Sequence, residues 1–407
     1  MRPPSLGAVY RKVTHEERRD RQTVPVGRAN VRILANVADL SPNTGISVQT
    51  LQTTEALAGR GHRLDLVYIQ DGPYRPRYAE FCDSMEQVPA LDLGAHHFLR
   101  DAPRLWPAFR AGVRAHPDVI YLNRFRPLPW ALGTAAVARA PVVCHLHGFI
   151  GIEKPMVNRA LGRLTARFIC VSQFVRDGFV AMGGDPDRTD VVHNGIDVDE
   201  YPVGGHEERR AARAELGLSD EPFIVMYFGR VVPEKGVDVL VEAMAQLARG
   251  LSSGVGSGAG AVELLMVGPQ PDEAYAKRTF DGAPGVRIHQ LPMRNDVVTP
   301  LHAADVVVVP SVWEEPFGRT VIEALSTGRP VIASAIGGIP EILTGGFARF
   351  LVPPGDAAAL AAKLGEVLDW RAREPELAEA CTDHVARNFS LAPMVDAIEA
   401  RLVDAGR

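Results

Sequence analysis

The chain has 407 residues, room for two or three domains at ~150 residues each, and its 46% hydrophobic and 23% charged residues are the mix of an ordinary globular protein. That excludes a mostly disordered chain, a fibrous repeat and a coiled coil, and no apolar run approaches the ~18 residues that a membrane span needs. Net charge is −5, with 25 basic and 18 acidic side chains in residues 1–195 and 19 and 31 in residues 196–407, so bulk charge gives no argument for a nucleic-acid partner.

Residues 1–28 carry seven basic and three acidic side chains and no apolar core, which is not a secretory signal; they are expected to form a loosely docked extension. Short apolar runs then alternate with helix-like stretches. Strands are expected near Val31–Val37, Arg63–Ile69, Asp118–Asn123, Pro141–His147, Arg167–Ser172 and Asp190–His193. The rhythm restarts at Phe223–Gly229 and continues through Val262–Gly268, Val286–Leu291, Asp305–Ser311, Pro330–Ala335 and Arg349–Val352. Many of these runs are near-continuous Val, Ile and Leu, the pattern of parallel strands buried on both faces. Strand–helix alternation of this kind implies an α/β fold with two doubly wound, Rossmann-like parallel-sheet domains facing a cleft.

The boundary is placed in Gly195–Glu221, which holds Gly204-Gly205 and a charged stretch but no strand signal. The division is then an extension at 1–28, a first domain at 29–200, a linker at 201–221, a second domain at 222–388 and a C-terminal helix at 389–407 that can pack back on the first domain. Gly250–Ala261 has five glycines, yet it follows a helix and precedes a strand, the reverse of a dinucleotide fingerprint, and reads as a surface loop. Cys82, Cys144, Cys170 and Cys381 are too scattered for a metal knuckle; Cys144 and Cys170 lie in apolar runs and are expected as buried thiols. The compartment expected is the cytoplasm.

In open α/β sheets ligands bind beyond the carboxyl ends of the strands, and the informative residues lie there. After Asp305–Ser311 comes Trp313-Glu314-Glu315-Pro316-Phe317-Gly318-Arg319-Thr320-Val321-Ile322-Glu323-Ala324. Pro316 and Gly318 break regular structure, so Glu315 belongs to a turn and Glu323 to the following helix, with backbone amides at the helix start free to meet an anion. Glu323 sits among Val321, Ile322, Ala324 and Leu325. A buried carboxylate there needs a polar ligand or a fixed donor. After Phe223–Gly229 comes Arg230-Val231-Val232-Pro233-Glu234-Lys235-Gly236, a basic pair able to clamp a diphosphate with a fork and a point charge.

Arg-x4-Lys, Glu-Pro-Phe-Gly with Glu-x7-Glu, and Gly337-Gly338-Ile339-Pro340-Glu341, together with His193-Asn194-Gly195-Ile196-Asp197 before the linker, resemble the motifs of retaining family-4 glycosyltransferases with the GT-B fold. The resemblance spans about residues 30–400. It implies that Arg230 and Lys235 hold the donor diphosphate, that Glu315 meets the transferred sugar's hydroxyls beside the amides of Phe317 and Gly318, and that Glu323 takes the ribose. Arg319, Thr320 and Val321 would lie against phosphate, and Met293 and Arg294 near the nucleobase. In the first domain Cys144-His145-Leu146-His147-Gly148 ends a strand, and His147 is the residue expected near the anomeric carbon, ahead of His145. The loop Ser41-Pro42-Asn43-Thr44-Gly45-Ile46 has only Gly45 where the family commonly has two adjacent glycines; Gly45 is the candidate for backbone approach to donor phosphate.

The implied reaction moves a sugar from a nucleoside-diphosphate sugar to a hydroxyl of a small metabolite, sugar or glycan, with retention and without metal or resident cofactor. Asp197-Val198-Asp199 matches a metal-binding Asp-x-Asp pattern but sits in a turn, where Asp is common. Residues 155–168 place Met156, Val157, Ala160, Leu161 and Leu164 at helical spacing beside Arg159, Arg163 and Arg167. This is read as a core-facing helix with a basic flank, ahead of peripheral membrane contact with a lipid-linked acceptor. Arg124, Arg126 and the stretch Arg104–Arg114 are the other candidates for an anionic acceptor. A non-catalytic nucleotide-sugar-binding protein is the competing class; neither the nucleotide nor the oligomeric state is legible.

Overall fold

A computed structural model describes residues 30–42, 44–92, 102–149, 155–252, 261–282, 285–294 and 296–406. The N-terminal extension, most of the glycine-rich stretch after residue 250, Asn43 and Asn295 lie outside the described residues.

Two parallel sheets carry the chain. The first has seven strands: β1 (Arg32–Asp39), β2 (Arg63–Gln70), β3 (Ser84–Gln87), β4 (Val119–Leu122), β5 (Val142–Leu146), β6 (Arg167–Cys170) and β7 (Thr189–Val191), in the order β3-β2-β1-β4-β5-β6-β7. The second has six: β8 (Phe223–Phe228), β9 (Val262–Val267), β10 (Arg287–Leu291), β11 (Val306–Val309), β12 (Val331–Ser334) and β13 (Leu351–Val352), in the order β10-β9-β8-β11-β12-β13. Each order reverses once, between β1 and β4 and between β8 and β11, and crevices open at those two points. Strands such as β4, β11 and β12 are buried along their whole length. Cys144 and Cys170 are buried free thiols in β5 and β6.

Three local departures from the sequence reading have simple causes. Strand β3, Ser-Met-Glu-Gln, is a short, half-exposed edge strand with no apolar run to announce it. The last strand is only Leu351–Val352 because Gly345–Phe350 forms a 3-10 turn. The charged stretch after Gly205 is a helix, His206–Glu215, anchored on the second sheet: Arg209 and Arg213 donate to Asp305 at 2.9 and 2.6 Å, and Arg213 is fully buried.

The C-terminal helix Leu391–Gly406 crosses to the first sheet. Its Val395, Ile398 and Leu402 join one buried cluster with Ile33, Leu64 and Tyr121. Arg60 pairs with Asp396 and Glu399 at 2.8 and 2.5 Å, and His62 meets Glu399 at 3.2 Å. The crossing segment bonds Ile196 to Phe389 and Leu391 through the backbone. The first and second sheets are therefore joined both through residues 192–205 and through the chain's end.

Candidate active site between the two sheets

The two loops at the second sheet's switch point are tied to each other before any ligand is considered. Val312 and Trp313 amides donate to the Glu234 carbonyl at 3.1 and 3.2 Å, and the buried Tyr227 hydroxyl donates to the Arg230 carbonyl at 2.6 Å. Gly236, at φ 63°, leaves room only for hydrogen, since a Cβ would fall 2.0 Å from the Pro310 carbonyl oxygen. The result brings the Lys235 ammonium onto the Glu315 carboxylate, which also accepts from the Ser311 hydroxyl at 2.7 Å. Arg230 stands exposed on the adjoining loop, with no ion pair among the described residues.

Gly337 and Gly338 explain why the Gly-Gly-Ile-Pro-Glu run accompanies Glu315. A Cβ at Gly337 (φ 61°) would lie 2.1 Å from the Glu315 carbonyl oxygen, and the Gly338 amide donates to that same carbonyl at 2.8 Å. The glycines thus buttress the turn that aims Glu315. Phe317 is buried against His193 and Phe389, so only its backbone faces the cleft. Gly318, at φ 104°, starts the helix Arg319–Ser326. Among the described residues the amides of Gly318, Arg319 and Thr320 have no partner, whereas the Val321 amide already donates to the Gly318 carbonyl at 2.9 Å.

Glu323 is buried and has its fixed donors. Arg319, one turn earlier, donates from Nε at 2.7 Å, and the Tyr201 hydroxyl from the interdomain segment at 3.0 Å. Arg319 then reaches into the first domain, donating to Gln49 at 2.9 Å and Gln52 at 3.1 Å. Burial works against its charge, but Glu323 and Tyr201 hold the Arg319 guanidinium above its ordinary value. Its Cδ lies 3.7 Å from where a Gly45 Cβ would be, so Gly45 and the helix Arg319–Ser326 meet across the cleft. Thr44 caps the helix Gly45–Gly59 by accepting from the Ser47 amide at 3.2 Å in an extended conformation open to any residue. Met293 is exposed, and Arg294 is held by Glu215 and Asp296 at 3.5 and 3.6 Å.

On the first sheet, the His145 and His147 rings lie against each other, centroids 4.2 Å apart and planes tilted by 35°. The Tyr121 hydroxyl meets His145 Nδ1 at 2.7 Å, and burial raises the phenol's pKa, keeping its proton in place. Burial pushes His145 down to about 3. Burial, His145 and the nearby Arg124 hold His147 well below its ordinary value. Both imidazoles are neutral at pH 7. Among the described residues neither Nε2 has a hydrogen-bond partner although both are buried. Gly148, at φ 151°, follows His147 and brings the backbone to Pro316, 3.2 Å from a would-be Cβ, which joins the histidine loop to the glutamate loop. Beside them a small hollow is lined by Asn36, Ile46, Ser47, Thr50, Asn123 and Arg124. Asp197 accepts from the Asp199 amide at 3.2 Å, shaping the turn after Ile196.

Sequence reasoning missed three further participants: Gln49, Gln52 and Tyr201. For the two glutamines the signal lay in the helix Gly45–Gly59, whose buried residues include Ser47, Gln49, Thr50, Gln52 and Thr53. So many polar groups on a covered helix face require polar partners on what covers them.

Comparison with known proteins accords with this geometry. Residues 43–200 match the model for glycosyltransferase family 4, and residues 208–384 match that for glycosyl transferases group 1. The chain is 28% identical over 404 residues to D-inositol 3-phosphate glycosyltransferase 1 of Catenulispora acidiphila, covering 89% of this chain and 92% of that protein. It is 39% identical over 219 residues to D-inositol 3-phosphate glycosyltransferase of Mycolicibacterium smegmatis, covering 53% of this chain and 47% of the relative, about half of its length. Among solved structures, Anabaena Alr3699/HepE in complex with UDP-glucose superposes with a TM-score of 0.77 at 24% identity, covering 92% of this chain and 100% of that one. A glycosyltransferase from Rickettsia africae superposes with a TM-score of 0.78 at 19% identity, covering 93% and 99%. At such identities the structural likeness is one of fold.

Proposed function

This chain is a family-4 glycosyltransferase of the GT-B fold, and from that premise we propose that it moves a hexosyl group from a uridine diphosphate sugar to a hydroxyl of a small phosphate-bearing polyol. The observation that carries the donor half is the Lys235–Glu315–Ser311 constellation beside Arg230 and the open helix start at Gly318. Two cations and the free amides of Gly318, Arg319 and Thr320 suit a diphosphate, and Glu315 suits a sugar hydroxyl. The uridine assignment is supported by the UDP-glucose complex of the structural neighbour.

Catalysis then rests on fixed positive groups aimed at the charge that grows on the departing diphosphate. Arg230 supplies a fork and Lys235 a point charge; neither must move far, since both loops are bound to each other. Glu315 is already engaged by the Lys235 ammonium and the Ser311 hydroxyl, which leaves it ill placed to attack the anomeric carbon. That supports retention by a front-face path, in which a leaving phosphate oxygen takes the acceptor's proton. No step in this scheme calls for a metal ion. Neutral His147, with an unpartnered Nε2, is suited to a hydroxyl of the transferred sugar. Arg124, at the hollow beside His147, is suited to an acceptor phosphate, in keeping with relatives named for inositol 3-phosphate. A cytoplasmic site of action fits substrates of this kind.

The test is a thermal-shift panel of UDP, GDP, ADP and TDP and their sugars with EDTA present, followed by transfer assays on inositol phosphates and on free inositol. A ligand at a hundredfold its dissociation constant stabilises the native state by ~2.7 kcal/mol. A single uridine winner and a product whose anomeric proton keeps the donor's configuration support the whole reading. Donor binding with no transfer to any polyol would favour a binding protein. Inversion of configuration would overturn the mechanism.

A further inference from the structure

Arg319 meets Glu323 with only one tooth of its fork. Nε donates to Oε1 at 2.7 Å, while Nη2, the nitrogen on the same side of the guanidinium, donates to Gln52 at 3.1 Å. Elsewhere in this chain the same two nitrogens grip both oxygens of a carboxylate. Arg32 holds Asp65 at 2.6 and 3.2 Å, and Arg209 holds Asp305 at 2.9 and 3.4 Å. Such two-toothed pairing is the frequent, strong form of an arginine–carboxylate contact. At Glu323 it is prevented from the other domain.

The glutamines that prevent it are themselves fixed. Gln52 is buried, and its amide nitrogen donates to Glu200 at 2.8 Å, which turns its carbonyl oxygen toward Arg319. Gln49 is held likewise, with its nitrogen on the Met394 sulfur at 3.3 Å and its oxygen accepting from Arg319 Nη1 at 2.9 Å. The Tyr201 hydroxyl donates to the same Oε1 of Glu323 at 3.0 Å. Both donors therefore fall on one oxygen, and Oε2 has no hydrogen-bond partner among the described residues. An oxygen left so in a buried carboxylate is a ready acceptor.

We propose that Gln52 is a positioning residue for nucleotide binding: by diverting Nη2 it keeps Oε2 of Glu323 open to the ribose hydroxyls of the donor. Without Gln52, Arg319 closes its fork on both oxygens and the ribose loses its acceptor. Gln52 belongs to the first domain and Glu323 to the second, so ribose recognition is complete only while the two domains are together. The inference rests on the donor reading above, with Glu323 as the ribose acceptor.

The experiment is calorimetric titration of the full chain with UDP and with 2′,3′-dideoxyuridine diphosphate. The wild type is expected to prefer UDP at least roughly tenfold. Gln52→Met should lose most of that preference while keeping its affinity for the dideoxy nucleotide, which also shows that the variant folds. Gln52→Ala makes the same removal without bulk and should behave alike. Gln49→Met takes a hydrogen bond from the same guanidinium but leaves Nη2 diverted, and should keep the preference. Arg319→Lys added to Gln52→Met should restore it, because one ammonium cannot grip both oxygens as a fork does. A preference that survives in both Gln52 variants would overturn the proposal, as would an equal loss in Gln49→Met, the mark of general loosening. Equal wild-type affinity for the two nucleotides would overturn it while leaving the diphosphate clamp in place. Binding of neither would overturn the donor reading and the proposal with it.

Discussion

Glu341, in the second domain, accepts from the Phe174 amide in the first at 2.8 Å. The same carboxylate accepts from the Gln173 amide at 2.7 Å and from His193 Nε2 at 2.8 Å. It sits at the start of the helix Gln173–Ala181, where two orphan amides and the helix dipole favour an anion. Burial opposes its ionisation, yet His193 and the amides of Phe174 and Gln173 hold Glu341 below its ordinary value. Alongside it, Ser172 donates to the Pro316 carbonyl at 2.5 Å. Glu341 therefore clamps the histidine side of the cleft to the glutamate side. Glu341→Ala should destabilise the protein by ~1.5–3 kcal/mol, the worth of hydrogen bonds to a charged group, and widen the distribution of domain separations in small-angle scattering. Loss of stability without that widening would make the contact a local cap only.

Arg230 and Lys235 are separable by experiment. Arg230 is exposed with no structural ion pair among the described residues, so Arg230→Ala should change stability by less than ~0.5 kcal/mol while lowering kcat/KM by ~10²-fold or more. Lys235 is the partner of Glu315, and Lys235→Ala should lower kcat/KM at least as far while also freeing Glu315. Steady-state kinetics with a fixed acceptor, paired with melting curves, gives both numbers. An Arg230→Ala enzyme with full activity would remove the diphosphate clamp from the mechanism.

Much of this site was legible because its parts are contiguous in sequence and follow strands. The run from Trp313 to Glu323 and the loop from Arg230 to Gly236 each combine a strand end, a turn and a helix start, and the fold places such loops at one edge. What the sequence hid are partners remote along the chain. Arg319 finds Gln49 across 270 positions, and Glu341 finds Gln173 across 168. The need of Glu323 for a fixed donor could be read; that Arg319 and Tyr201 supply it could not, since a cation at a helix start reads equally well as a phosphate ligand. Helix Pro155–Leu164 shows the same limit from the other side: it buries Asn158 and Gly162 and leaves Met156, Val157 and Leu164 exposed, so it is not the core-facing helix its pattern suggests. Periodicity locates an apolar face but not what that face meets.

The Arg319–Glu323 pair is the most exposed to a stability test. Both side chains are largely buried, and the pair is bound into Tyr201, Gln49 and Gln52. Arg319→Met leaves a buried carboxylate with one hydroxyl donor and should cost ~3–5 kcal/mol. Glu323→Gln in the same chain should return much of that loss, because the uncompensated charge is gone. Arg319→Lys should not rescue it, since a single ammonium cannot hold Glu323 and both glutamines at once. Denaturant midpoints of the three variants decide this, and a fully additive double variant would show that the two residues do not act as a unit.

His145 sets an acid limit on the fold. The native imidazole titrates near 3 because it is buried, and the unfolded one near its ordinary 6.5. Between those values the unfolded chain holds a proton that the native state refuses, so stability falls as pH drops through that window and is untouched above it. The slope is at most ~1.4 kcal/mol per pH unit for this residue, and His147, also depressed, adds to it. His145→Gln keeps an acceptor for the Tyr121 hydroxyl but cannot take a proton. Urea unfolding at pH 7.5 and ~5 should show the wild type losing more stability on acidification than His145→Gln by roughly 1–2 kcal/mol. Parallel pH profiles would mean that His145 is reached by water in the native state and that the tilted histidine pair is not a dry element of the cleft wall.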